Sequence, residues 1–295
     1  MGWLANGDPH GCTIKVVGLN ESFRSWSDGQ RIPLRLISQE RLIISPPPVQ
    51  TKYVELPGKN GKLDMTEVLT GFPIYGNRTG TLNFIVDNTN PAGNTAYDHK
   101  TWADRYEDVL SIIHGQQVEL TLDDDPNYTY KGRMSVDGWT RGSSWSQLAL
   151  SYDFEPYKYD NTGRYKVTIE NFTDENSVDK MNVTVEKGST TVHTESGITT
   201  AFDLNQYLDV MPVIPESKIN KTDSSETTIA LVNNRLKFNK TVTIAASGAT
   251  DNYYGLQSFV MCSQRYVGGT TQNKCSVQTS GASANLRLFW TNGRL

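Results

Sequence analysis

Cysteine and histidine are scarce in this sequence, at three and four residues. The cysteines (Cys12, Cys262, Cys275) are odd in number, so a small scaffold stapled by disulfides is excluded. Cys262 and Cys275 could face each other across a hairpin, but free thiols in a reducing compartment are the expectation. His10-Gly11-Cys12 is at most half of a metal site. His99, His114 and His193 stand alone, no second pair has ligand spacing, and no metal is expected. Charge is also thin: 20% of residues are charged and the net charge is −4. That balance excludes a nucleic-acid binder held by a basic face. Long apolar runs are missing, since Leu42-Ile43-Ile44 is far short of the roughly 20 residues that span a bilayer. The opening Met1 to Asn6 has neither the charged start nor the apolar stretch of a signal peptide, and Asn6 breaks the Gly2 acylation pattern. A soluble protein made in the cytosol is predicted, with no membrane partner. Seven Asn-X-Ser/Thr sequons, Asn77 and Asn182 among them, then report only a polar surface.

What is present reads as mainly β. Hydrophobic residues make up 37% of the sequence, enough for a core if much of it sits in thin layers or at subunit contacts. Apolar residues alternate at Leu82, Phe84 and Val86, at Val118, Leu120 and Leu122, at Leu148, Leu150, Tyr152 and Phe154, and at Leu286, Leu288 and Trp290. A period of two places each set on one face of a sheet. Weaker strands are predicted at Tyr165 to Ile169, Met181 to Val185, Thr227 to Val232 and Thr241 to Ala245. One segment differs. Trp102, Tyr106, Val109, Leu110 and Ile113 form a helical stripe, predicting a helix over about 101–114. Gly115 then stands where a left-handed cap is wanted, with His114 in the last turn near the negative end of the dipole.

Turn residues divide the rest. Pro46-Pro47-Pro48 favours extended geometry and cannot sit in a central strand. Pro57-Gly58-Lys59-Asn60-Gly61 holds two turn signals close together and predicts a projecting loop or hairpin tip. Asp125-Pro126-Asn127 turns the strand from Val118 into one at Tyr128 to Met134. After Tyr157 to Asn161 the composition shifts to Ser, Thr and Asn, which predicts two domains, 1–160 and 161–295.

No catalytic pattern is complete. No Gly-x-Ser-x-Gly elbow occurs. Gly268-Gly269 runs into Thr-rich sequence rather than a helix, so it is no phosphate loop. Asp123-Asp124-Asp125 lacks the alternating spacing and closing Glu of a calcium loop and reads as a solvated acidic turn. No carboxylate pair is singled out for glycoside hydrolysis. No enzyme activity and no cofactor are expected. Aromatic residues are plentiful, with 14 Tyr, 6 Trp and 9 Phe. Trp102, Tyr106 and the Leu148 to Phe154 run read as core, while Tyr253, Tyr254 and Trp290 are left open as sugar-stacking platforms.

A series of motifs acts together. It begins with Ser45-Pro46-Pro47-Pro48, then Thr51-Lys52-Tyr53-Val54-Glu55-Leu56-Pro57-Gly58-Lys59-Asn60-Gly61-Lys62-Leu63-Asp64, then Gly71-Phe72-Pro73-Ile74-Tyr75-Gly76-Asn77-Arg78. It continues with Ile113-His114-Gly115-Gln116, Asp124-Asp125-Pro126, Tyr130-Lys131-Gly132-Arg133 and Asp153-Phe154-Glu155-Pro156-Tyr157-Lys158. In this order the series resembles the distal tail proteins of long, non-contractile phage tails and of related prophages in Gram-positive hosts. The resemblance covers about residues 32–160. Met211-Pro212-Val213-Ile214-Pro215, Leu286-Arg287-Leu288 and Gly293-Arg294-Leu295 are similar to that family's second domain, whereas residues 1–31 depart from it.

The resemblance implies an N-terminal β-sandwich with one α-helix and an extended arm, followed by a C-terminal galectin-like β-sandwich. It implies a virion structural protein forming a homohexameric ring at the tail tip, or baseplate. Its partners would be the tail tube protein, a tail-tip hub or tail-associated lysin-type protein, the tape measure protein and a receptor-binding protein. DNA would pass through the ring during ejection without specific binding. The intersubunit or scaffold residues so implied are Pro57, Gly58, Asn60, Gly61, Leu63, Asp64, Tyr75, Asn77, Arg78, His114, Gly115, Asp125, Pro126, Tyr130, Gly132 and Arg133. The turn cluster at 57–63 suits an arm that loses little entropy on docking. The Arg78 fork suits a carboxylate or backbone carbonyls, and Gly132 suits a close approach of backbones. Residues 81–160 carry 6 basic and 13 acidic side chains. Acidic walls in a lumen avoid the attraction that basic walls would exert on DNA, and six copies would multiply the effect. The rival readings are a lectin-like module for host attachment through wall sugar, a wall hydrolase and a tail-tube subunit.

Overall fold

The computed structural model describes residues 11–19, 22–24, 36–38, 41–68, 73–87, 101–142, 145–222, 224–233, 238–253, 256–257, 259–262, 275–281 and 283–295. For residues 22–24, 36–38, Asp87, Trp102 and Phe238 it describes the backbone alone. His10, His99, Gly71-Phe72, Tyr254 and Gly268-Gly269 lie outside the described residues, as does most of 1–31. The protein divides into two compact units, Met1–Thr66 with Pro73–Tyr159, and Asp160–Leu295 with Glu67–Phe72.

In the first unit the strands are β1 (Cys12–Val16), β2 (Ser22–Arg24), β3 (Leu36–Ser38), β4 (Tyr53–Glu55), β5 (Lys62–Asp64) and β6 (Arg78–Asp87). Helix α1 (Trp102–Ile112) follows, then β7 (Gln116–Leu122), β8 (Tyr128–Thr140), β9 (Trp145–Phe154) and β10 (Lys158–Asp160). The main sheet runs β2-β1-β7-β8-β9-β6-β3, with β10 beside β8, while β4 and β5 pair only with each other. Register sets Leu82 against Leu150 and Phe84 against Leu148, so the alternating residues meet on one face. Val118, Leu120, Leu148, Leu150, Phe84 and Phe154 are buried there together. Each such side chain stabilises the fold by about 1.5–3 kcal/mol relative to leaving it in water.

The helix starts where its stripe predicts, and of its two end signals one holds and one does not. Thr101 accepts a hydrogen bond from the Asp104 amide while Asp104 accepts one from the Thr101 amide, a reciprocal cap. Val109, Ile113 and Arg105 are buried against the sheet, and the Tyr106 ring meets Trp139 edge-on at 5.0 Å. Gly115 has φ +74°, the left-handed geometry predicted for it. His114, however, is not in the last turn, because the helix is capped at Ile113. Its ring turns to β8 instead, where Nδ1 accepts the Val136 amide at 3.0 Å. A hydrogen bond to strand backbone replaces the expected interaction with the dipole.

The second unit is a β-sandwich. Its strands are β11 (Tyr165–Thr173), β12 (Asp179–Lys187), β13 (Thr190–Ile198), β14 (Phe202–Asp203), β15 (Glu216–Lys221) and β16 (Thr227–Asn233). They continue with β17 (Phe238–Ile244), β18 (Gly248–Asp251), β19 (Cys275–Gly281), β20 (Ala284–Trp290) and β21 (Gly293–Arg294). One sheet has the order β13-β12-β11-β20-β15-β18 and the other β14-β19-β16-β17. Val167, Ile169, Val183, Val185, Leu286 and Leu288 from the first face Ile229, Leu231 and Val277 from the second across the core. The protein is mainly β with one α-helix among the described residues, as the two sequence periods predict. Cys12, Cys262 and Cys275 are all buried free thiols.

Candidate assembly site

The β4–β5 hairpin is exposed along almost its whole length. Three pairs close it: Tyr53 with Asp64, Val54 with Leu63 and Glu55 with Lys62. Its base is fixed by the Met65 amide donating to the Lys52 carbonyl at 2.8 Å and the Lys52 amide to Thr66 Oγ1 at 3.0 Å. Thr66 also hydrogen-bonds Asp64, which holds that carboxyl below the usual carboxylate range. At the tip the Lys59 amide reaches the Leu56 carbonyl, and Gly58 and Gly61 have φ +80° and +82°. Only glycine adopts that geometry freely, which is why the Pro57 to Gly61 cluster makes a hairpin tip. Tyr53 is 54% exposed and Leu56 42%. A two-stranded ribbon whose apolar side chains are left partly open to solvent is marginal in water.

A strap leads into this hairpin. Leu42 and Ile44 are buried while Ile43 points to solvent. The prolines that follow stay out of any ladder, and the backbone is held on either side of them. The Gly76 amide donates to the Pro48 carbonyl and the Gln50 amide to the Ile74 carbonyl, each at 2.8 Å. Tyr75 bridges Val49 through its backbone, and its ring meets Tyr157 edge-on at 6.2 Å.

Arg78 anchors the strap. Its side chain is 4% exposed. Nε donates to the Pro156 carbonyl at 2.9 Å and Nη1 to the Ser45 carbonyl at 3.0 Å, while the guanidinium lies 5.6 Å from the Tyr130 ring centre. Of the two partners the sequence allows, backbone carbonyls are the ones present. Tyr152, opposite Gly80 in β6, adds a second tie by accepting the Ser45 amide at 2.9 Å. Asn77 donates to Asp153 at 2.8 Å. Asp125 pairs with Lys158 at 2.5 Å, and Lys158 caps the Tyr128 ring at 4.7 Å. Burial pushes the Tyr130 hydroxyl up, so it stays protonated. Tyr75, Asn77, Arg78, Asp125, Pro126, Tyr130 and Gly132 thus gather where β6 and β8 begin and β9 ends. His114, Gly115 and Arg133 form a separate set at the helix end, with Arg133 Nη1 on the Gly115 carbonyl at 2.8 Å. Pro57, Gly58, Asn60, Gly61, Leu63 and Asp64 make a third set, the hairpin.

Several partners escaped the sequence. Tyr152 read as core and Ser45 only as the first residue of the motif series, and the small Gly80 opposite the tyrosine is the one signal of its turned hydroxyl. Arg41 pairs with Asp124 at 2.9 Å, so the acidic turn is matched by cations rather than only solvated. Glu119 sits between Lys15 and Lys131 at 3.2 and 3.3 Å. Burial alone would raise its carboxyl, and the two lysines outweigh it and hold it down. The acidic excess of 81–160 is therefore partly neutralised within the unit. Trp290 is not an open platform: it is 3% exposed and stacks on Tyr165 at 5.6 Å, because β20 points it into the core. Tyr253 packs against that same core. Among the described residues no three His, Cys, Asp or Glu side chains converge as a metal site.

No family model matches the sequence, and no curated protein does. Among solved structures it is similar to SPP1 Dit, described as a paradigm of the hub adsorption apparatus in Gram-positive infecting phages. The TM-score is 0.53 at 14% identity, over 96% of this chain and 99% of that one. The protein has the fold of SPP1 Dit, across both of its units.

Proposed function

We propose that this protein is a structural subunit of a phage tail tip: a distal tail adaptor that forms a hexameric ring joining the tail tube to the tip proteins. The observation that carries the reading is the exposed 53–64 hairpin, whose Tyr53, Val54 and Leu56 stay partly open to solvent and whose two strands pair only with each other. Docked on a neighbouring copy, that ribbon gains the apolar cover it lacks alone. The fold shared with SPP1 Dit supports the same role. The first unit builds the ring. The second, a galectin-like sandwich at the periphery, receives receptor-binding and tail-associated proteins, and the tape measure protein and DNA use the central channel.

The subunit has no catalytic task in this reading. The polar side chains at the root of the strap are spent on intrachain carbonyls and counter-charges, as scaffold residues are. Light scattering across a concentration series tests the proposal: a mass near six times 32.9 kDa is expected. A strict monomer that also fails to bind purified tail tube protein overturns it. The hairpin's part is read separately, since Tyr53→Ser with Leu56→Ser shifts the mass toward monomer while leaving the far-UV spectrum unchanged.

A further inference from the structure

Two Asn-Gly pairs lie among the described residues, and they are held in opposite ways. Asn292 is 7% exposed, with Oδ1 accepting Trp290 Nε1 at 3.1 Å and Nδ2 donating to the Tyr207 carbonyl at 2.9 Å. Its backbone carbonyl accepts the Asp160 amide at 2.9 Å. Asn60 is exposed at the hairpin tip, and its side-chain amide makes no hydrogen bond among the described residues. Gly61 behind it has φ +82°, with open space where a Cβ would stand.

We propose that Asn60 is a site of spontaneous deamidation. Cyclisation requires the asparagine Cγ to swing onto the nitrogen of the next residue. A free amide can make that rotation, whereas one pinned at both ends cannot. A following glycine removes the side group that would shield the attacking nitrogen. The Gly61 nitrogen gives up its proton and bonds to Asn60 Cγ, and the bond from Cγ to Nδ2 breaks with release of ammonia. Water then opens the five-membered imide at one carbonyl, leaving aspartate, or at the other, leaving isoaspartate. The balance is amide plus water to carboxylate plus ammonium, with no change of oxidation state.

The product matters because of where it forms. Residues 52–64 carry Lys52, Lys59 and Lys62 against Glu55 and Asp64. One new carboxylate cancels that small positive excess at the tip, and the isoaspartate form also lengthens the backbone inside a tight turn. A subunit waiting unassembled would change its arm with age. This consequence rests on the hairpin being an intersubunit arm; the chemistry does not.

The test is peptide mapping of the whole protein after incubation in mildly alkaline buffer, with monomer and oligomer fractions kept apart. The peptide holding Asn60 is expected to gain the acid's mass and an isoaspartate signal while the Asn292 peptide keeps its amide. Gly61→Ala should slow the conversion severalfold and Asn60→Gln should abolish it, the second without placing a Cβ at a left-handed position. The proposal is overturned if Asn60 keeps its amide as long as Asn292 does, or if Gly61→Ala converts at the native rate. Slower conversion in the oligomer is expected. Equal rates in the two fractions would leave Asn60 as the site and remove the hairpin from the interface, so the two readings fail separately.

Discussion

At Gly132 two strands come closer than a side group permits. A Cβ there would stand 2.6 Å from the Phe154 Cα and press on the Asp153 carbonyl oxygen. The neighbour is backbone in the middle of a sheet and cannot give way. Gly132→Ala is therefore expected to destabilise the first unit by about 1–3 kcal/mol, read from the denaturant midpoint. Gly138→Ala is the control, since its Cβ would meet only the Ala149 Cβ at 3.8 Å. Equal midpoints for the two variants would refute the close-approach argument. Asp160 gives a residue-level prediction in pH. Burial would raise its carboxyl, and hydrogen bonds from Lys187 and Thr162 outweigh that and hold it below its ordinary value. A depressed carboxylate contributes stability above its unfolded value of about 3.9, and that stability is lost as pH falls through the folded value. Asp160→Asn is expected to flatten the acid limb of the stability curve. An unchanged limb would show that the Lys187 pair contributes nothing.

Among the elements, α1 offers the cleanest measurement. The Thr101–Asp104 cap satisfies amide groups at its first turn, so Thr101→Ala should cost about 0.5–2 kcal/mol by thermal unfolding. No loss at all would mean that solvent replaces the cap without penalty. The same helix shows what a sequence can and cannot reveal. Its stripe and the left-handed Gly115 were legible because each depends on local geometry. The turn of His114 toward Val136 was not, since it depends on where β8 passes, which no local pattern encodes. Strands buried on one face, such as β6, β7, β9 and β20, announced themselves by alternation. β13 did not, because nearly every residue in it is exposed and no period results. β19 hid for the opposite reason: its buried positions include Cys275, Ser276 and Thr279, small residues that do not read as core. At the candidate site, Arg78 was legible as a fork seeking oxygens. Ser45 and Pro156, which supply them, are distant in sequence and were not.

At the scale of the molecule the buried thiols make a simple statement about access. Cys12, Cys262 and Cys275 are each fully buried, and burial pushes the Cys275 thiol up, away from its reactive form. The native protein is expected to resist a maleimide reagent at neutral pH and to take up label at all three positions once unfolded. Rapid native labelling would mean that the cores open far more often than their packing implies.

The two units also differ in when their strands become available. The first sheet has its last central strand once Phe154 emerges. The second cannot close its larger sheet early, because β11 lies directly against β20, with Tyr165 opposite Trp290. Its oldest strand must wait for its nearly youngest, and Asn171 for the amide of Ala284, 113 residues later. At roughly 5–20 residues per second the delay is on the order of ten seconds, during which Val167, Ile169, Val183 and Val185 lack the strands that cover them. Ribosome-bound polypeptides halted before Ala284 should accordingly keep the first unit protease-resistant while the second is digested. If both were digested alike, the first unit too would be waiting for the rest of the protein.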